Sequence, residues 1–168
     1  GEHIAEAEQP KRIRYLLDKY SPDILVLTGH DALNKNHKGI HELESYKNSN
    51  YFIEAVKKAR MVKPSTAELV IFAGACQSYF EEILAAGADF AASPGRVLIH
   101  ALDPVFIVEK IAHCPFYQVL PIDEALENTI TNIKGLGGYE VLGKFRKGGP
   151  VVEEERGEAP TVTGEIGR

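Results

Sequence analysis

Apolar residues recur along this chain at two different periods, and the switching between them lays out a fold. Ile13, Leu16, Leu17 and Tyr20 follow Pro10 at helical spacing, and Ser21-Pro22 ends the run, so an amphipathic helix is predicted there. The stretch Asp23–Thr28, with Ile24-Leu25-Val26-Leu27 unbroken, reads as a buried strand. Helical spacing returns in Asn50–Met61 with Phe52, Ala55, Val56 and Ala59 inward and Lys57, Lys58 and Arg60 facing water. Leu69-Val70-Ile71-Phe72-Ala73 is a second apolar run, and Phe80, Ile83 and Leu84 then mark a helix stopped by Gly87. Ala88–Ala92 predicts a further strand, Ser93-Pro94-Gly95-Arg96 a turn, and Val97–Leu102 another short strand. Pro104–Ala112 is a helix with Val105, Val108 and Ile111 inward, and Pro115–Leu120 fits neither period. Ile122, Ala125, Leu126, Ile130 and Ile133 predict one last amphipathic helix, and Lys134-Gly135-Leu136-Gly137-Gly138 breaks regular structure.

Helix and strand in alternation predict an α/β fold, a mostly parallel sheet flanked by helices. Residues 31–49 are polar and aperiodic, a loop of the length that often carries function. Residues 148–168 are rich in Gly, Pro and Glu, so a disordered acidic tail is expected after a single domain over 1–147. With 44% hydrophobic and 26% charged residues, the composition is that of an ordinary soluble domain. The net charge of −5 argues against a general nucleic-acid binder. No apolar run is long enough to span a membrane, and the polar, acidic N-terminus does not resemble a secretory signal. Cys76 and Cys114, the two cysteines, read as free thiols of an intracellular protein.

Composition leaves the chemistry to the turns. Leu69–Ala73 runs into Gly74-Ala75-Cys76-Gln77-Ser78, which sets Cys76 where a buried strand becomes a helix, at the carboxyl edge where α/β sheets place their sites. A helix N-terminus favours the thiolate there, although cysteine is also a common core residue. Asp23–Thr28 has the same design and delivers Gly29-His30-Asp31. Two adjacent parallel strands would bring His30 and Cys76 to one edge, and a thiol needs such a base or cation to act as a nucleophile at neutral pH. Gly29 and Gly74 suit tight turns whose N–H groups, with that of Asp31, face a substrate carbonyl. Glutamine-amidotransferase-like domains place the histidine after the cysteine; His100 and His113 do follow Cys76, so that ordering stays open. Asp103 before Pro104 suits a helix cap or, like Asp89, the wall of a pocket for a cationic side chain, with Ser93 and Arg96 in a loop beside the cleft. His37 and His41 lie four apart without a third ligand, so no metal is expected. Gly135-Leu136-Gly137-Gly138 lacks the following Lys-Ser/Thr of a phosphate loop, and no cofactor is implied.

The blocks Pro22–Asp31, Leu69–Ser78 and His100–Pro104, with Lys134–Gly138, resemble the YabG family of sporulation-specific cysteine peptidases across residues 1 to 150. An apolar block ending in His followed by one ending in Cys also resembles the caspase-type arrangement. The resemblance implies Cys76 and His30 as catalytic residues and a caspase-like three-layer fold. It implies cleavage of spore coat and cortex-related proteins after arginine, in the cytoplasm of the sporulating cell or at the coat. Family chains extend further at the N-terminus, so a domain lacking its first strand is expected. In caspase-type enzymes a glycine follows the histidine, whereas here Gly29 precedes it and Asp31 follows. A non-catalytic α/β scaffold of coat assembly is the competing reading.

Overall fold

The computed structural model describes residues 1–36 and 38–148. Helix α1 spans Gln9–Tyr20, with Pro10 in its first turn, where a missing N–H costs nothing, and Ser21 left-handed at its end. A short 3₁₀ turn, Glu6–Glu8, leads into it. Strand β1 is Ile24–Leu27, α2 is Ser49–Val62, and β2 is Val70–Ala73. Then come α3 (Phe80–Ala85), β3 (Phe90–Ala92) and α4 (Asp103–His113). The chain continues through β4 (Val119–Leu120), α5 (Ile122–Leu126), α6 (Asn132–Gly135), β5 (Leu136–Gly138) and β6 (Val141–Leu142).

Four strands form one sheet in the order β1-β2-β3-β5, parallel throughout except for antiparallel β5, and β4 pairs with β6 separately. The fold is therefore α/β with a mostly parallel sheet flanked by helices. Strand β2 is buried on both faces, as a central parallel strand must be. Its side chains divide by the two-residue period of a strand. Ile71 and Ala73 pack with Ile13 and Leu17 of α1 and with Phe52, Val56 and Ala59 of α2. Val70 and Phe72 pack on the other face with Ile107 and Ile111 of α4 and Ala125 and Leu126 of α5. Helices thus cover both faces and fix the direction in which β1 and β2 emerge. Among the described residues β1 is an edge strand of the sheet.

Several expectations are corrected. Strand β1 is not a buried strand but an edge strand with Val26 exposed. Arg60 does not face water: its side chain is largely buried and pairs with Asp89 at 2.6 Å. Val105 is exposed, and Ile107 takes the inward place beside Ile111. Val97–Leu102 is not a strand; it crosses the carboxyl edge as irregular chain and turn. The single helix expected from Ile122 to Ile133 is two short ones, with Ile130 and Ile133 largely exposed. The Thr129 hydroxyl donates to the Leu126 carbonyl at 2.6 Å, and the Ile130 N–H goes to Asp103 at 2.7 Å, so side chains take the groups the helix needed. Finally, Leu136–Gly138 is a strand rather than a break. A Cβ at Gly138 would strike the backbone of Asp89 and Phe90, so glycine is what lets β5 lie against β3. The expected acidic tail, from residue 149 onward, lies outside the described residues, as does His37.

Candidate active site

Strands β1 and β2 run parallel with Leu27 opposite Ala73. His30 and Cys76 each stand three residues beyond that pair, at the same edge of neighbouring strands, which in a sheet lie about 4.8 Å apart. The turn that carries Cys76 is sharp. Gly74 has φ +106 and Gln77 φ +56, the first suited to glycine and the second strained for glutamine. The Gln77 N–H is held between the Ser93 hydroxyl and the Val97 carbonyl, each at 3.1 Å. The Ala75 N–H donates to Ser78 Oγ at 2.9 Å. The thiol itself is half-buried, and Ile99 lies over it, its N–H 3.4 Å from Sγ.

Asp31 sews this turn to the chain around His30. One of its buried oxygens accepts the N–H groups of Ala32 and Asn48 at 2.9 and 2.8 Å. The other accepts the hydroxyls of Ser49 and Ser78 at 2.5 and 2.9 Å. Ser49 Oγ in turn accepts the Tyr79 N–H, and Asn48 Nδ2 donates to the His30 carbonyl. Four donors on one carboxylate satisfy it fully, so Asp31 fixes the loop and the start of α2.

His30 is held differently. Its N–H donates to Glu6 Oε1 at 2.7 Å, its Nδ1 lies 3.5 Å from the same oxygen, and its side chain is 98% exposed. Burial pushes the Glu6 carboxyl up, but hydrogen bonds from its own backbone and from His30 outweigh this and leave it below the ordinary glutamate value. A Cβ at Gly29 would overlap the Glu6 carboxylate, so this glycine is where that side chain lies against the backbone. His30 stands at the end of a cleft of about 760 Å³ that follows the outer edge of β1; Cys76 does not line it.

The N–H groups of Gly29, Asp31 and Cys76 have no hydrogen-bond acceptor among the described residues. Gly74 differs from expectation: its N–H is spent on the Leu27 carbonyl at 3.0 Å, and the residue serves the turn instead. His100 and His113, the histidines after Cys76, are also engaged. His100 Nδ1 accepts the Leu102 N–H at 3.2 Å, and His113 Nδ1 lies 2.9 Å from the Glu109 carbonyl.

The residues expected to line a cationic pocket are used by the fold. Asp89 is buried just before β3, paired with Arg60 and with the Ile71 N–H, each at 2.6 Å. It precedes its strand, so it sits at the opposite end of the sheet from Cys76. Asp103 is fully buried in the first turn of α4. It accepts the N–H groups of His100, Ile130 and Thr131 and the Thr131 hydroxyl. Ser93 is buried, donating to the Val97 carbonyl at 2.7 Å. Arg96 lies over the stacked rings of Tyr46 and Tyr79, donates to Tyr46 Oη and pairs with Glu81, both at 2.5 Å. Asn48, Ser49, Ser78, Ile99 and Glu6 were not legible as site residues. Of these only Glu6 had an indirect signal, the glycine before His30. Among the described residues no three potential metal ligands come together, and no helix is long and apolar enough to cross a membrane.

The family model described as YabG peptidase U57 matches residues 1–150. The sporulation-specific protease YabG of Bacillus subtilis (strain 168) is 53% identical over 150 residues, which are 89% of this chain and 52% of that protein. The chain thus spans about half the length of the curated relative it matches. No solved structure matches the chain.

Proposed function

Because this chain belongs to the YabG peptidase family, we propose that it carries the catalytic pair of a cysteine endopeptidase acting in sporulation. One observation supports the assignment above all: the register that leaves His30 and Cys76 equally far past the last paired residues of adjacent parallel strands. In this reading Cys76 Sγ attacks the scissile carbonyl carbon and forms a covalent acyl-enzyme. His30 takes the thiol proton and returns it to the leaving amine, and water then releases the acyl group. The Cys76 N–H and one of those flanking His30, on Gly29 or Asp31, hold the oxyanion. His30 is favoured over His100, whose Nδ1 lone pair is already occupied by the Leu102 N–H.

Spore coat and cortex-related proteins as substrates, cleavage after arginine, and action in the cytoplasm of the sporulating cell or at the coat complete the proposal on the family resemblance alone. The guanidinium partner is sought outside Asp89 and Asp103, since both carboxylates already hold donors of the fold. Competitive alkylation of the purified protein tests the reading. Fast labelling of Cys76 over Cys114 at neutral pH is expected. Equal, slow labelling of the two thiols would favour a non-catalytic scaffold of coat assembly.

A further inference from the structure

Two carboxylates lie close to His30, and they are not equivalent. Asp31 is adjacent in sequence, but its oxygens are filled by Ala32, Asn48, Ser49 and Ser78. Glu6 comes from 24 residues upstream, and one of its oxygens faces both the His30 N–H and Nδ1. The turn that carries it is itself stitched to the end of β1, since Gln9 Nε2 donates to the Thr28 carbonyl at 2.9 Å. The Glu6 side chain is only 20% exposed, against 98% for His30. Gly29 leaves the space that the carboxylate fills.

We propose that Glu6 is the positioning carboxylate of His30, holding the imidazole by its Nδ1 side so that Nε2 is left for the thiol of Cys76. The inference rests on the reading of His30 and Cys76 as a catalytic pair. A carboxylate at Nδ1 selects the tautomer protonated there and stabilises the imidazolium that forms when the thiol gives up its proton. In that transfer the Sγ–H bond breaks and an Nε2–H bond forms, giving thiolate and imidazolium, while Nδ1–H stays on the ring beside Glu6. Glu6 touches no reacting atom and acts through His30. Its backbone contact makes the two functions separable. A glutamine at position 6 keeps an oxygen for the His30 N–H but loses the charge.

The test compares Glu6→Gln with the parent protein by peptide-cleavage kinetics and by ¹⁵N NMR of the His30 ring. Gly29→Ala serves as a second variant, which keeps both side chains and displaces the carboxylate; Gly29 lies outside the left-handed region, so its backbone tolerates alanine. The expected result is a kcat lower by about 10- to 10⁴-fold in both variants with KM little changed; the small end is the scale for losing the partner of a metal-bound histidine, the large end that for neutralising the carboxylate behind a protease histidine. The parent ring should show Nδ1 protonation, and Glu6→Gln should lose that preference. A Glu6→Gln protein with parental kcat and an unchanged ring spectrum would overturn the proposal. His30→Ala separates the two failures. Full activity in His30→Ala sinks the catalytic pair, whereas loss in His30→Ala with none in Glu6→Gln sinks only the role of Glu6.

Discussion

Two turns leave the carboxyl edge of the sheet with polar side chains, one after β1 and one after β3, and they use them in opposite ways. After β3, Ser93 sits between the Gln77 N–H and the Val97 carbonyl, and Arg96 is spread over two tyrosine rings with Glu81 at its end. After β1, Asp31 is as fully occupied as Ser93, yet His30 beside it keeps almost its whole ring in solvent. A buried polar group must be satisfied, and once satisfied by the fold it is scaffold. In the proposed mechanism, chemistry is left to the groups that scaffold presents and does not consume, the imidazole of His30 and the thiol of Cys76.

That contrast can be broken from either side. The largest expected effect comes from the presented side: Cys76→Ala should lower peptide cleavage on the order of 10⁴-fold or more, since nothing replaces a nucleophile. Its denaturant midpoint should barely move, and undiminished cleavage would place the chemistry elsewhere. On the consumed side, Asp31→Ala strands two buried hydroxyls and two N–H groups and should cost about 3 kcal/mol in urea unfolding. A loss below about 1 kcal/mol, the net scale of a single ordinary hydrogen bond, would mean water replaces it freely. Asp103→Asn keeps one acceptor oxygen and should cost about 2 kcal/mol, with Cys76 alkylation unchanged. If it left stability intact and abolished cleavage after arginine alone, Asp103 would be a specificity residue after all. Arg96→Ala should cost the least, about 1 kcal/mol, because Glu81 is exposed and the stacked tyrosines remain.

The apolar runs made much of this legible. Ile24–Leu27 and Val70–Ala73 announce strands by composition alone, and a glycine close behind each marks the turn that carries His30 or Cys76; only the second strand is buried, since β1 lies at the edge of the sheet. What stayed hidden depends on contacts between distant segments. Glu6 is one acid in an acidic stretch, and no spacing connects it to a histidine 24 residues away. Leu136–Gly138 carries the residues that ordinarily end a strand, and only its close approach to β3 explains them. Val97–Leu102 has the apolar content of a strand, but it is used to lay Ile99 over the thiol and His100 against Asp103. Asp89 and Asp103 looked available because sequence shows a charge and not its partners; Arg60 and Thr131 lie 29 and 28 residues away.

The central claim is that His30 and Cys76 work as one unit across the gap between β1 and β2. It is tested most directly by the rate at which iodoacetamide alkylates Cys76 at neutral pH in His30→Ala and in His100→Ala. The account predicts that His30→Ala slows Cys76 at least about tenfold, toward the rate of Cys114, because the thiol loses the proton acceptor that generates its thiolate. His100→Ala should react like the parent protein. An unchanged rate in His30→Ala, or a loss confined to His100→Ala, would contradict it.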